Sequence, residues 1–327
     1  MTELRELQSL GIAPFWPTRE TLIKELRNYT PWTMSQAAAY NARLDGKNKH
    51  RATSSIDYRG TGGRYQMDAI ATALEGGNNW KPELARSLGY LMFADRLGYF
   101  WHVQYDILFP HMKGQLRMMD WVSMTDSMAF SFLLGWIEQA IYQGYLTYAT
   151  LNCQYQLKES YEQHHRRAHA FMLRLFSDWR GDGLSHAWPS WGTDVPVYNG
   201  IRERWRDPNP QVLTPWLLAA CDRHTQESRY DTEKESHNFG DLRLARTPIE
   251  ILLVFRLRYL EGLANPVVDH PLMESPFDCL PERQPPFAPD EMMQGTLKRA
   301  REDWPQFDQV TSIEALRDKP NKPDRFR

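Results

Sequence analysis

Arg246-Thr247-Pro248-Ile249-Glu250-Ile251-Leu252-Leu253-Val254-Phe255-Arg256-Leu257-Arg258-Tyr259-Leu260-Glu261-Gly262-Leu263-Ala264-Asn265-Pro266 reads as a helix punctuated at both ends. Thr247 is a good N-cap, Pro248 suits the first helical position, and Glu250, three residues after Thr247, completes a capping box. Gly262 supplies a left-handed residue after the last turn, and Pro266 stops the helix from resuming. Between these signals Ile251 to Phe255 are apolar without a break, and Leu257, Tyr259 and Leu260 follow. A helix apolar around nearly its whole circumference lies inside a helical body. The spacing therefore predicts a central buried helix over 248–261. Arg256 and Arg258 sit about 200° apart around it, too far to share one solvent stripe. At least one of them is expected to reach a carboxylate or the edge of the domain.

The rest of the chain agrees with a helical body. Helical periodicity predicts elements over 18–29, 32–44, 64–74, 121–151, 160–179, 211–229 and 290–304, with one long helix or two broken near Gly98 between 84 and 109. The segment 45–63 carries Lys47, Lys49, His50, Arg51, Gly60, Gly62 and Gly63 and reads as a basic loop; 178–199, rich in Pro and Gly, reads as irregular. No alternating strand run of any length is present, and no repeat of 30 to 45 residues stands out. The expected class is all-α, a multi-helix globular bundle with long irregular loops. It is read as a single unit over 1–327, with a possible subdivision into 1–180 and 181–327.

Composition narrows the function. The 327 residues are 42% hydrophobic and 24% charged, as in a globular protein, with twelve Trp, fifteen Tyr and fourteen Phe to fill a core. A net charge of −2 argues against nucleic-acid binding through a global basic field. Cys153, Cys221 and Cys279 are odd in number and form no CxxC pair, which points to a reducing compartment. The first residues are charged, without the apolar core of a signal peptide, and the apolar run 128–137 is too short to span a bilayer. A cytoplasmic protein without a membrane segment is expected. No cofactor or metal is called for by any motif.

Three stretches carry candidate chemistry. His165 and His169 lie one helical turn apart, a spacing that can present two imidazoles to a metal ion. Arg166 and Arg167 beside them oppose a cation, and a charged, solvated helix face explains the same residues. Asp222, His224, Glu227, Asp231, Glu233, Glu235, His237 and Asp241 form the densest run of acid and imidazole. No nucleophile motif or phosphate loop accompanies them, so the run reads as an exposed interaction surface or as a solvated loop between buried helices. Asp269, Glu274, Asp278, Glu282, Asp290 and Glu291 make a second acidic zone with Arg283 as its one basic residue other than His270. Surfaces of this sign steer cationic partners. Trp188, Trp191 and Tyr198 are expected to fold inward and pin the Pro/Gly-rich loop.

The order Asp222-x-His224, an acidic loop, Thr247-Pro248-Ile249-Glu250-Ile251-Leu252, Arg256-Leu257-Arg258, Gly262-Leu263-x-Asn265-Pro266 and Asp269-His270-Pro271-Leu272-Met273 resembles helical immunity proteins encoded beside type VI secretion effectors. Within these it is most similar to the group that guards against nuclease toxins of the restriction-endonuclease-like class. Immunity proteins against other polymorphic DNase toxins are a looser comparison. The resemblance covers roughly 211–280. It implies stoichiometric inhibition of a cognate toxin effector in bacterial competition, through protein–protein contact and without catalysis, so no residue is carried over as catalytic. The contact residues expected on this reading are Asp222, Glu227, Asp231, Glu233, Glu235 and Asp241, with 269–291 beside them; a homodimer is left open. The alternative is a helical metal-dependent enzyme using His165 and His169.

Overall fold

A computed structural model describes residues 10–44, 53–108, 121–152, 166–184, 188, 192–232 and 237–317. Every regular element among them is helical, and no strand occurs. In chain order the α-helices are α1 (Arg19–Arg27), α2 (Ser35–Asn41), α3 (Thr53–Leu74), α4 (Trp80–Leu108), α5 (Trp121–Leu133), α6 (Ile137–Asn152) and α7 (Arg167–Arg180). They continue with α8 (Pro196–Arg204), α9 (Thr214–Gln226), α10 (Ile249–Leu260), α11 (Glu291–Asp303), α12 (Phe307–Val310) and α13 (Ile313–Arg317). Short 3₁₀ turns at Pro210–Val212 and Pro271–Met273 complete the set.

α10 is the buried centre. Every residue from Ile249 to Arg258 is buried, and the helix packs on α5 and α7. Its end is as read from the sequence: Gly262 has φ 73°, Leu263 N–H reaches Arg258 O at 2.9 Å, and Gly262 N–H reaches Tyr259 O at 3.1 Å. That is a Schellman stop, which satisfies carbonyls the last turn leaves open. Its beginning differs from the reading. The helix starts at Ile249, Pro248 occupies the cap position, and the Thr247 hydroxyl, fully buried, makes no hydrogen bond. Glu250 forms no capping box, because its carboxylate is held by His224 instead.

The two arginines of α10 also correct the expectation: neither meets a carboxylate among the described residues. Arg256 donates to Phe132 O and Leu133 O, both at 2.8 Å, and to Pro281 O at 3.1 Å. Arg258, fully buried, donates to Trp205 O, Asp207 O and Ala264 O. Each guanidinium thus caps carbonyls left over at another helix end, Arg256 at α5 and Arg258 beyond α8. Cations at helix C-termini are favoured by those unpaired carbonyls.

Helices that follow one another in sequence pair as hairpins. The run 121–151 is two helices, not one, because Gly135 takes φ 75° and closes α5 with the same Schellman bonds, Trp136 N–H to Ser131 O and Gly135 N–H to Phe132 O, each 2.9 Å. Conversely, Gly60, Gly62 and Gly63 lie within α3 and not in a loop. Gly62 makes the α3–α4 contact possible: a Cβ there would stand 3.0 Å from the backbone nitrogen of Leu91, and its carbonyl accepts from the Ser87 hydroxyl at 2.7 Å. Gly98 does not break α4, which runs unbroken through it. Pro196 opens α8 inside the stretch read as irregular, where the fixed φ of proline suits a first turn.

One cluster of buried apolar side chains extends from Leu22 to Phe277 and draws on both sides of residue 180. A second joins Ala37, Tyr58, Tyr90, Phe100 and Trp101 to Met293, Ala300 and Phe307, so α11 and α12 close over α2, α3 and α4. Tyr198 is buried with its ring stacked 4.8 Å from Phe171, and Trp188 lies 5.8 Å from Trp121, both inward as expected; Trp191 lies outside the described residues. No helix among the described residues is long and apolar enough to cross a membrane.

Candidate functional site

The acidic run begins on α9, whose inner face carries Cys221, Asp222, His224 and Thr225 into the body. His224 links three elements. Its Nδ1 lies 2.9 Å from Glu250 Oε1 on α10, its Nε2 lies 2.9 Å from Leu244 O, and Phe239 stacks on its ring at 3.7 Å. A carbonyl only accepts, so Nε2 donates to Leu244 O, and Nδ1 faces the Glu250 carboxyl. His224 and Glu250 are both fully buried, so removing either partner strands a polar group in the core.

Asp222 is buried as well and accepts from His270 Nε2 at 3.3 Å. His270 Nδ1 accepts the Leu272 N–H at 3.0 Å and so opens the 3₁₀ turn. This tautomer is neutral. Burial holds His270 below the ordinary histidine range, outweighing the Asp222 carboxylate that favours its charged form. In the unfolded chain the ring takes a proton near pH 6.5; folded, it does so at lower pH. Between those values the unfolded state binds more protons, so this contribution makes stability fall as pH is lowered from about 7 toward 5. His270→Asn keeps an acceptor for Leu272 and does not titrate. It is expected to narrow the stability difference between pH 7.5 and pH 5.5 in denaturant unfolding; an unchanged difference would exclude His270 as a source.

The loop that follows is tied down by its own carboxylates. Glu227 accepts from Arg223 at 2.9 Å and from Asn238 N–H at 3.2 Å, and its carbonyl accepts Phe239 N–H at 3.1 Å, closing the loop at its base. Asp231 takes both terminal nitrogens of Arg166 and the His237 N–H. Burial opposes its charged form, but these partners outweigh that and keep its carboxyl below the usual range. Asp241 is gripped in the same way by Arg243, with the same balance and the same direction. Asn238 caps α7 by accepting Ala168 N–H at 2.9 Å. Glu233 and Glu235 lie outside the described residues. Of the six residues read as a contact surface, Asp222, Glu227, Asp231 and Asp241 are therefore brought together as internal fastenings.

The second acidic zone is arranged differently. Residues 263–290 cross the body as an extended strap, helical only at Pro271–Met273. Arg19 holds Ser275 O at 3.2 Å, Phe277 lies 5.7 Å from the Trp80 ring, and Arg256 holds Pro281 O. Gln284 is bound through both backbone groups, its N–H to Leu134 O at 3.0 Å and its carbonyl from Trp136 Nε1 at 2.9 Å. Phe287 then presses on Gly89, where a Cβ would sit 2.4 Å from its ring. Along this pinned backbone Asp269, Glu274, Asp278, Glu282 and, just beyond it, Glu291 are exposed, and none is in a salt bridge among the described residues. Asp290 is spent as the N-cap of α11. His270 on Asp222 fastens this strap to the acidic run.

His169 departs from its sequence reading. It is fully buried, not on a solvated face, and its Nε2 lies 2.9 Å from Asp126 Oδ1. The signal that was available is Asp126 itself, a lone acid in an apolar helix. His165 lies outside the described residues. Among the described residues, no group of three His, Cys, Asp or Glu is placed to hold a metal ion. No family model matches this chain, and no curated protein and no solved structure matches it either.

Proposed function

We propose that this chain works by binding and not by turnover: it is an immunity protein that neutralises a cationic secreted toxin, a nuclease on the resemblance drawn from 211–280, in a stoichiometric complex. The observation that carries the reading is the strap 263–290, whose exposed carboxylates at 269, 274, 278 and 282 stand on a backbone already fixed by hydrogen bonds and buried rings. A surface ordered in advance loses little conformational entropy on association. Exposed carboxylates outside any salt bridge attract a basic surface, and this favours fast, salt-sensitive encounter. A nuclease must hold phosphates and so offers such a surface. On this reading Asp222, Glu227, Asp231 and Asp241 frame the strap and its neighbouring loop, and Glu233 and Glu235 remain candidates for direct contact.

The test begins with capture of the tagged protein from its host cells and identification of what comes with it. One stoichiometric partner with nuclease activity that is silent while bound is the expected result. Its affinity is then measured for the wild type and for the quadruple variant D269K/E274K/D278K/E282K at low and high salt. The variant should bind at least ~10-fold more weakly at low salt, and the difference should shrink as salt screens the charges. Equal affinity at low salt would reject the strap as the contact surface; absence of any partner would reject the reading.

A further inference from the structure

We infer that a cleft between α3, α4 and α5 is a binding site for a small planar organic anion, one aromatic ring carrying an oxyanion and a hydrogen-bond donor. The cleft holds about 310 Å³, within the range of about 300–1,000 Å³ typical of small-molecule sites. Tyr29, Trp32 and Ile56 converge on its mouth, and all three are exposed large apolar side chains. Such side chains gathered around one opening mark a ligand site more often than a bare surface.

Trp32 is a fixed platform. Its ring lies against Gly60, where a Cβ would come within 2.3 Å, and its Nε1 donates to Asp57 at 3.2 Å. Gly63, one turn further along α3, also lines the cleft, yet packing does not require it: a Cβ there would meet Arg243 Nη1 at 3.7 Å and nothing closer. Nor is its φ positive. Glycine destabilises a helix interior relative to alanine. What Gly63 provides is the open volume itself.

The polar groups select the ligand. Arg59 is held by Asp95 through Nη2 at 2.6 Å, and Asp95 is fixed from behind by Gln143 at 2.6 Å. Arg59 makes no other hydrogen bond among the described residues, so Nε and Nη1 are available to an oxyanion. Arg243 also lines the cleft, but its Nε and Nη2 are taken by Asp241 and its Nη1 by Gln66 at 2.7 Å, so it contributes positive charge and not an open fork. The carboxylate behind Arg59 sets the plane of its guanidinium, as planar recognition of an oxyanion requires. Asp126 also lines the cleft, with His169 bound to Oδ1. It disfavours a highly charged anion and offers an acceptor to a hydroxyl or amino group on the ring.

The chemistry has two sources, an aryl carboxylate or an aryl sulfonate, both planar-ring monoanions. The experiment titrates 4-hydroxybenzoate and 4-hydroxybenzenesulfonate separately into the full chain by calorimetry, with Trp fluorescence as a second reading. Saturable 1:1 binding of either is expected, and the one that binds identifies the source. Gly63→Leu, which fills the cleft, should weaken binding at least ~10-fold while the unliganded protein melts no lower than wild type. Arg59→Lys, which keeps a cation for Asp95 but removes the planar fork, should weaken it by a similar factor. No binding of either compound overturns the proposal. So does wild-type affinity in both variants, or in whichever of them folds. No protein partner enters the experiment, so its outcome is independent of the proposed toxin.

Discussion

Arg258→Met should destabilise the protein by about 3–5 kcal/mol in denaturant unfolding, among the largest effects of any single substitution outside the aromatic core. The guanidinium is fully buried and serves three carbonyls from two other parts of the chain: Trp205 and Asp207 after α8, and Ala264 after α10 itself. Methionine fills much of the same volume, so the loss measures the stranded carbonyls, each costing about 1–3 kcal/mol when left unpaired, set against the relief of no longer burying a charge. Burial already pulls Arg258 below the ordinary guanidinium range, the direction expected of a cation held by dipoles. Arg258→Lys should recover little, because an ammonium cannot span the fork that reaches all three acceptors. A loss under about 1 kcal/mol for methionine would show that these carbonyls find water or other donors.

A loss of comparable size is expected for His224→Leu, about 3–5 kcal/mol, for a different reason. The substitution leaves the Glu250 carboxyl and the Leu244 carbonyl without their partner in a fully buried site. Breaking a buried pair from one side costs that much because the remaining group stays desolvated and alone. Glu250→Leu should cost a similar amount. The double variant is expected to be markedly more stable than the sum of the two losses, since no charged group is then left behind. Strict additivity in that cycle would mean that His224 and Glu250 do not interact in solution.

The helical class was legible because caps, stops and apolar periodicity are local. Thr18, Asp290 and Gly262 mark helix ends where the structure has them. Gly135 was missed because the apolar run around it reads straight through; a single positive φ outweighs the hydrophobic pattern. Gly60 to Gly63 were misread in the opposite sense. Three glycines in four residues signal a loop, but the value of Gly60 and Gly62 to α3 lies in what approaches them, Trp32 and Leu91, and those contacts are long-range. The same holds for charge. Glu250 satisfies every local condition for a capping box, yet a histidine twenty-six residues away takes its carboxylate. The acidic run at 222–241 was visible as composition, and Arg223 four residues before Glu227 and Arg243 two after Asp241 are local partners that spacing offers; that Asp222 and Asp231 are also spent internally depended on His270 and Arg166, which lie 48 and 65 residues away.

The second apolar cluster has a consequence for how the chain is made. Asn41 bonds Met292 and Arg299 bonds the Tyr40 carbonyl across sequence separations of 251 and 259 residues. At a synthesis rate of about 5–20 residues per second, a ribosome needs roughly 12–50 s to deliver the second partner after the first. For most of that interval Tyr58, Tyr90, Phe100 and Trp101, once made, lack the α11 and α12 side chains that cover them in the finished protein. The nascent chain therefore displays an aromatic surface for longer than most domains take to fold. That surface is the part of the nascent chain most open to association until α11 and α12 have emerged.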